Sequence, residues 1–173
     1  MAEFARSRCG LDKVIFVPSF LPPHKNIRNL TSAQHRYQMV ALATRGHPAF
    51  QVSDFEINRR QKSYTIETVR HFAETFSGKA RLFFIVGDDN LQTLSTWRDI
   101  DEIVKLVTFI VVNRPGHPAP RRRFKHVAVR MPAIDISASF IRRCCRRGQS
   151  VKYFVPDQVL RYIEKNHLYE ITP

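Results

Sequence analysis

Cysteine, glycine and negative charge are scarce in this chain. Its 173 residues include three Cys, six Gly, one Trp and 15 acidic side chains against 28 Lys or Arg, a formal net charge of +13. The cysteine count is odd, Cys144 and Cys145 are neighbours and Cys9 lies far off, so neither a disulfide framework nor a CxxC ligand pair is implied. That usage predicts a reducing, cytoplasmic setting. Few glycines beside 13 Phe and 5 Tyr exclude collagen-like, low-complexity and disordered chains. The longest apolar run, residues 14–21, is broken by Pro18 and Ser19, and it is far short of the roughly 18 residues that cross a bilayer. The first eight residues carry charge and lack the apolar stretch of a secretory signal, so no membrane association is expected.

Familiar chemical motifs are missing too. The chain contains no GxxxxGK[ST], GxGxxG, GxSxG or HExxH, which removes the main support for standard NTPase, dehydrogenase, hydrolase and zincin readings. Seven histidines fall into no metal-ligand pairing, so no metal residues are assigned. A lone histidine is ordinarily a surface or satisfied residue.

What is present is cationic and regularly patterned. Between Arg114 and Lys152 stand eleven Lys or Arg and one acidic residue, Asp135, so this stretch carries most of the net charge. Such a concentration predicts an anionic partner, and sign alone does not choose among nucleic acid, polyphosphate, nucleotide or acidic membrane. Apolar runs at residues 13–18 (KVIFVP), 81–86 (RLFFIV) and 107–112 (VTFIVV) predict buried strands, with further strands over 50–57 and 126–131. Periodicity and capping residues predict helices over 31–45, 64–76 and 137–147, a last helix from Pro156 to about residue 166, and short helical stretches over 91–94 and 99–105. Thr31 and Gln34 have capping-box spacing, and Ser137 is the expected cap of its helix. Residues 2–9 read as the tail of a helix ended by Gly10.

Continuous apolar strands alternating with helices predict a doubly wound, Rossmann-like parallel sheet in a single α/β domain over residues 1–173. Ligands of such sheets bind beyond the carboxyl ends of the strands. That rule directs attention to residues 18–25, 87–89 and 113–116 and to Ser137. Pro22-Pro23-His24-Lys25 puts two potential cations on a stiff loop able to grip phosphate, or forms a solvated turn. Gly87-Asp88-Asp89 follows a strand and can offer a carboxylate to ribose hydroxyls, or cap a helix. Trp97 can stack on an aromatic ring or fill core. Ser137, Ser139 and Arg142 gather hydroxyls, free amides and a guanidinium at one helix start, suited to phosphate or to capping alone. Arg121, Arg122, Arg123, Arg143, Arg146 and Arg147 read as a solvated basic face.

The ordered series VIFVPSFLPPHK, KSYTIETVR, FIVGDDNLQTLSTWRDIDEI, VVNRPG, DISASFIR and YFVPDQVLRYIEKNHLY resembles bacterial nicotinate-nucleotide adenylyltransferase over residues 10–169. The resemblance implies the nucleotidyltransferase fold. It also implies transfer of an adenylyl group from ATP to nicotinate mononucleotide, giving nicotinate adenine dinucleotide and pyrophosphate in NAD biosynthesis, assisted by Mg²⁺. By the same resemblance Ser137, Ser139 and Arg142 hold the ATP phosphates with Arg114 nearby, while Gly87 and Asp89 line the adenosine side. Trp97 stacks on the nicotinate ring, the Tyr64 and Thr65 backbone meets its carboxylate, and His24 and Lys25 sit near the mononucleotide phosphate. Ala138 stands where the family carries a hydroxyl.

The larger departure is at the front. The family opens with a strand, a GGxFDPxHxGH turn and a helix, and residues 1–9 match only the end of that helix. The resemblance therefore implies that the first strand and the catalytic histidines are missing from this chain. It follows that residues 13–18 and a neighbouring strand have unpaired edges, and that this form turns over poorly. Within the resemblance the alternatives are a sister adenylyltransferase for nicotinamide mononucleotide or phosphopantetheine and a catalytically silent paralogue that still binds nucleotide; the residues alone leave a basic nucleic-acid binder using residues 121–147. The last offers only Phe124 and Phe140 as stacking aromatics. Self-association is left open.

Overall fold

The computed structural model describes residues 1–23, 30–87, 93–113, 124–132, 134 and 136–169. In chain order its elements are α1 (Ala2–Cys9), β1 (Val14–Phe16), α2 (Ala33–Thr44), β2 (Phe50–Val52), α3 (Phe55–Arg59), α4 (Thr65–Phe76) and β3 (Phe83–Gly87). A 3-10 turn at Leu94–Thr96 follows, then α5 (Ile100–Leu106), β4 (Thr108–Asn113), β5 (His126–Arg130), α6 (Ala138–Arg146) and α7 (Asp157–Lys165).

An apolar strand without polar alternation has to be covered on both faces, and β4 meets that demand. Phe109 and Val111 point into one cluster with Val86 of β3, Ile66 and Val69 of α4, and Ile103 of α5. The intervening Ile110 and Val112 point the other way, onto Ala5 of α1 and Val129 of β5. Ala5 is fully buried. An eight-residue helix is marginal on its own, so this packing, rather than propensity, holds α1. Helices on both faces of parallel strands make the architecture doubly wound, as the sequence predicts.

All observed strand pairs are parallel, and they form two sheets: β1–β2, and β3–β4–β5 with β4 central. Among the described residues β1 is paired with β2, and β3 with β4. The link between the two sheets is α4, whose apolar face lies on β3 and β4 while the residues just before it pair with the loop after β1 through Leu21 and Lys62. The C-terminal helices form a separate layer. Val159 and Ile163 of α7 pack with Met39 and Leu42 of α2, and His35 Nδ1 is hydrogen-bonded to the Tyr162 hydroxyl at 2.9 Å.

Three local expectations need correction. The strand expected over 50–57 stops at Val52, and α3 follows. Ser53 Oγ accepts the Phe55 N–H at 3.3 Å, a local bond that competes with a ladder, and Phe55 then stacks on His71 of α4 with ring centroids 3.9 Å apart. Helix α2 is capped by Ser32, whose hydroxyl accepts the His35 N–H at 3.2 Å, and not by the box expected of Thr31 and Gln34, because the helix starts one residue later than that spacing requires. Pro156 is the N-cap of α7 and not its first helical residue. The helical stretch expected over 91–94 falls partly outside the described residues; the described portion is the 3-10 turn at Leu94–Thr96.

Candidate functional site

Of the residues singled out by sequence, His24, Lys25, Asp89 and Arg114 lie outside the described residues, as do Arg121, Arg122 and Arg123. Gly87 ends a strand, Tyr64, Thr65, Ser137 and Ser139 stand at starts of helices, Trp97 closes a 3-10 turn, and Arg142 lies within the helix that Ser137 caps. Gly87 is the last residue of β3, in register with Val112 of β4. Tyr64 is the N-cap of α4 and Thr65 its first residue. The Tyr64 side chain makes no capping bond, and the Tyr64 carbonyl accepts the Glu67 N–H at 3.1 Å.

Tyr64 and Trp97 pack against the same cluster at the β3 side of the sheet. Trp97 closes the 3-10 turn, its N–H donating to the Leu94 carbonyl at 3.0 Å, and its half-buried ring meets Phe84 edge-on at 5.7 Å and 80°. The two roles weighed for Trp97 are therefore not exclusive: one edge belongs to the core. Arg98 joins the pair. Its guanidinium lies 4.9 Å from the Tyr64 ring centroid, 3.8 Å from Glu67 Oε1 and 3.7 Å from Asp99 Oδ2. Glu67 Oε2 is buried and ion-paired with Arg59 of α3. A cation over an aromatic face is attracted by the ring quadrupole, and here it fixes Tyr64 relative to the start of α5.

At the other end, α6 begins with Ser137, whose hydroxyl accepts the Phe140 N–H at 3.1 Å. Capping, the plainer of the two readings, is thus in force at Ser137. Two residues on, Ser139 Oγ accepts from Arg142 Nη2 at 3.1 Å. Ser137 and Ser139 are exposed and Arg142 is half-buried, so a hydroxyl, helix-start amides and a guanidinium stand within one turn. That combination suits a phosphate. Ile141 and Cys144 anchor the opposite side of the helix in a small cluster with Val151.

Sequence reasoning missed the residues that hold the loop after β1. Arg36 of α2 donates from Nε to the Thr31 carbonyl at 3.0 Å, from Nη2 to the Phe20 carbonyl at 2.8 Å and from Nη1 to Ser19 Oγ at 3.4 Å. Ser63 Oγ accepts the Phe20 N–H at 2.9 Å, and the Ser63 N–H donates to the Leu21 carbonyl at 3.0 Å. Burial lowers the Arg36 pKa, partly offset by Tyr169 and Glu56. Glu56 is itself buried and accepts a hydrogen bond from the Thr68 hydroxyl. In the sequence Arg36 is one more cation on a helix, and nothing in its neighbours marks it as half-buried.

A cytidylyltransferase-like family model matches residues 1–144. Among curated relatives, a probable nicotinate-nucleotide adenylyltransferase of Thermoanaerobacter sp. (strain X514) is 39% identical over 180 residues, covering 98% of this chain and 85% of its own length. One from Shouchella clausii is 41% identical over 169 residues, covering 98% and 87%, and one from Clavibacter michiganensis subsp. michiganensis is 42% identical over 171 residues, covering 97% and 84%. Among solved structures, the Plasmodium falciparum nicotinic acid mononucleotide adenylyltransferase complexed with NaAD superposes with a TM-score of 0.73 at 17% identity, covering 92% of this chain and 83% of that one. A putative nicotinate-nucleotide adenylyltransferase from Vibrio parahaemolyticus gives 0.67, also at 17% identity, covering 99% and 86%. The structural matches establish the nucleotidyltransferase fold. With the identities above, the chain belongs to the nicotinate-nucleotide adenylyltransferases within the cytidylyltransferase-like family.

Proposed function

We propose that this chain transfers the adenylyl group of ATP to nicotinate mononucleotide, releasing pyrophosphate and forming nicotinate adenine dinucleotide for NAD biosynthesis in the cytoplasm. A phosphate oxygen of the mononucleotide attacks the α-phosphorus of ATP, and the bond to the β-phosphate breaks with its electron pair leaving on pyrophosphate. No protein nucleophile is required, so the chain's work is to align two polyanions and to neutralise charge as it builds. The observation that carries this reading is the packing of Tyr64 and Trp97 against one cluster shared by α4, α5, β3 and β4, with the Ser137, Ser139 and Arg142 group opening the helix after β5 of the same sheet.

In this reading, the nicotinate ring stacks on the exposed part of Trp97, its carboxylate takes first-turn amides of α4 at Tyr64 and Thr65, and His24 and Lys25 meet the mononucleotide phosphate. Ser137, Ser139 and Arg142 hold ATP phosphates with Arg114, and Gly87 and Asp89 border the adenosine. A divalent ion such as Mg²⁺, bound to ATP, would screen its phosphate charge. Among the described residues no three His, Cys, Asp or Glu side chains gather to hold an ion, so no residue is assigned to it.

Titration calorimetry with ATP and with each mononucleotide tests the proposal independently of turnover. The expected result is saturable heat with ATP and with nicotinate mononucleotide, weaker binding of nicotinamide mononucleotide, and about a tenfold loss of mononucleotide affinity in Trp97→Ala, the scale of one lost aromatic stack. No heat with either nucleotide overturns it.

A further inference from the structure

A single guanidinium closes both ends of the segment that carries His24 and Lys25. Its three acceptors are Ser19 and Phe20 on the strand side and Thr31 on the helix side. The strand-side end is in turn sewn to the chain just before Tyr64, through the two Ser63 bonds and the pairing of Leu21 with Lys62. The described stem of that loop and the chain before α4 are therefore joined through one set of bonds.

We propose that Arg36 is a positioning residue for the mononucleotide substrate. It touches neither nucleotide. It holds Ser19 and Phe20 to Thr31, while Ser63 and the Leu21–Lys62 pairing join that stem to the chain before α4, so that a ligand spanning the two loses little ordering entropy on binding. Arginine is required because only a planar fork reaches three acceptors in diverging directions; a lysine at this place keeps the charge but not the geometry. The charge has a counterpart in buried Glu56, held by Thr68 of α4, so α2, α3 and α4 all bear on the clamp. The ATP side, on α6 and β3, has no bond to Arg36 among the described residues.

The assignment rests on the functional reading above, and the test separates the two. In Arg36→Lys, calorimetry is expected to show mononucleotide affinity falling about tenfold while ATP affinity stays within about twofold, since the lost bonds are charge-assisted but confined to one side. Ser63→Ala, which removes the side-chain bond to the Phe20 N–H without touching a charge and leaves the backbone pairing in place, is expected to give the same asymmetry at about threefold. Thermal midpoints read alongside distinguish a merely structural role: there, both affinities and the midpoint fall together in both variants, and the assignment is overturned. Unchanged mononucleotide affinity in folded Arg36→Lys and Ser63→Ala also overturns it while leaving the function intact. A parent chain that takes up no nucleotide removes the functional reading and this assignment with it.

Discussion

Single side chains in this protein often answer to partners that their sequence neighbours do not announce. Glu56 sits in a stretch, FQVSDFEI, that alternates like a strand, yet its carboxyl group is buried and bonded to Thr68 twelve residues on. A buried carboxylate without its donor is costly, and a hydrogen bond to a charged group contributes about 1.5–3 kcal/mol. Thr68→Val keeps the shape and removes the donor, so it is expected to destabilise by about 2 kcal/mol on that scale, read as a shift in the urea midpoint at constant slope. An unchanged midpoint means that Glu56 finds another donor. Ser137, by contrast, behaves as sequence logic says: a serine before a helical run caps it.

Between elements, paired charges on helix surfaces set how the site's supports respond to pH. Arg70 of α4 donates to Glu102 of α5 from Nε at 2.7 Å and from Nη2, tying together the two helices that flank Trp97. The hydrogen bonds from Arg70 are the main reason that the Glu102 pKa lies below its ordinary value. A carboxylate so lowered stabilises the folded state above its unfolded pKa, and that stabilisation disappears as pH falls through the folded one. Glu102→Gln is therefore expected to melt below the parent at neutral pH and to converge with it once the pH drops below the ordinary carboxylate range, about 4. Melting curves across pH check this; a gap that persists in acid means that the loss came from packing. Helix α4 was legible because its apolar stripe repeats at helical spacing, and α6 because Ser137 and Gly148 mark its ends. Helix α3 was not, since five residues cannot show a period and its Phe55 gains its stacking partner His71 only after folding.

For the whole molecule, a net charge of +13 should make polyanion binding sensitive to salt. ATP affinity is expected to fall several-fold between about 0.1 M salt, where the Debye length is about 10 Å, and about 1 M, where it is about 3 Å. A flat response means that the cations lie too far from the site to matter. By itself the sequence determined the α/β class, most strand and helix positions, the cationic segment and the ordered motifs that carry the family. These are local: hydrophobic period, capping residues and loop composition act over a few neighbours. Only the tertiary structure decided the split into two parallel sheets, the burial of Glu56, the junction of Tyr64 with Trp97 through Arg98, and the clamp at Arg36. Each of those depends on residues distant in sequence meeting through packing, and an arginine reads the same on paper whether it ends in water or between two loop ends.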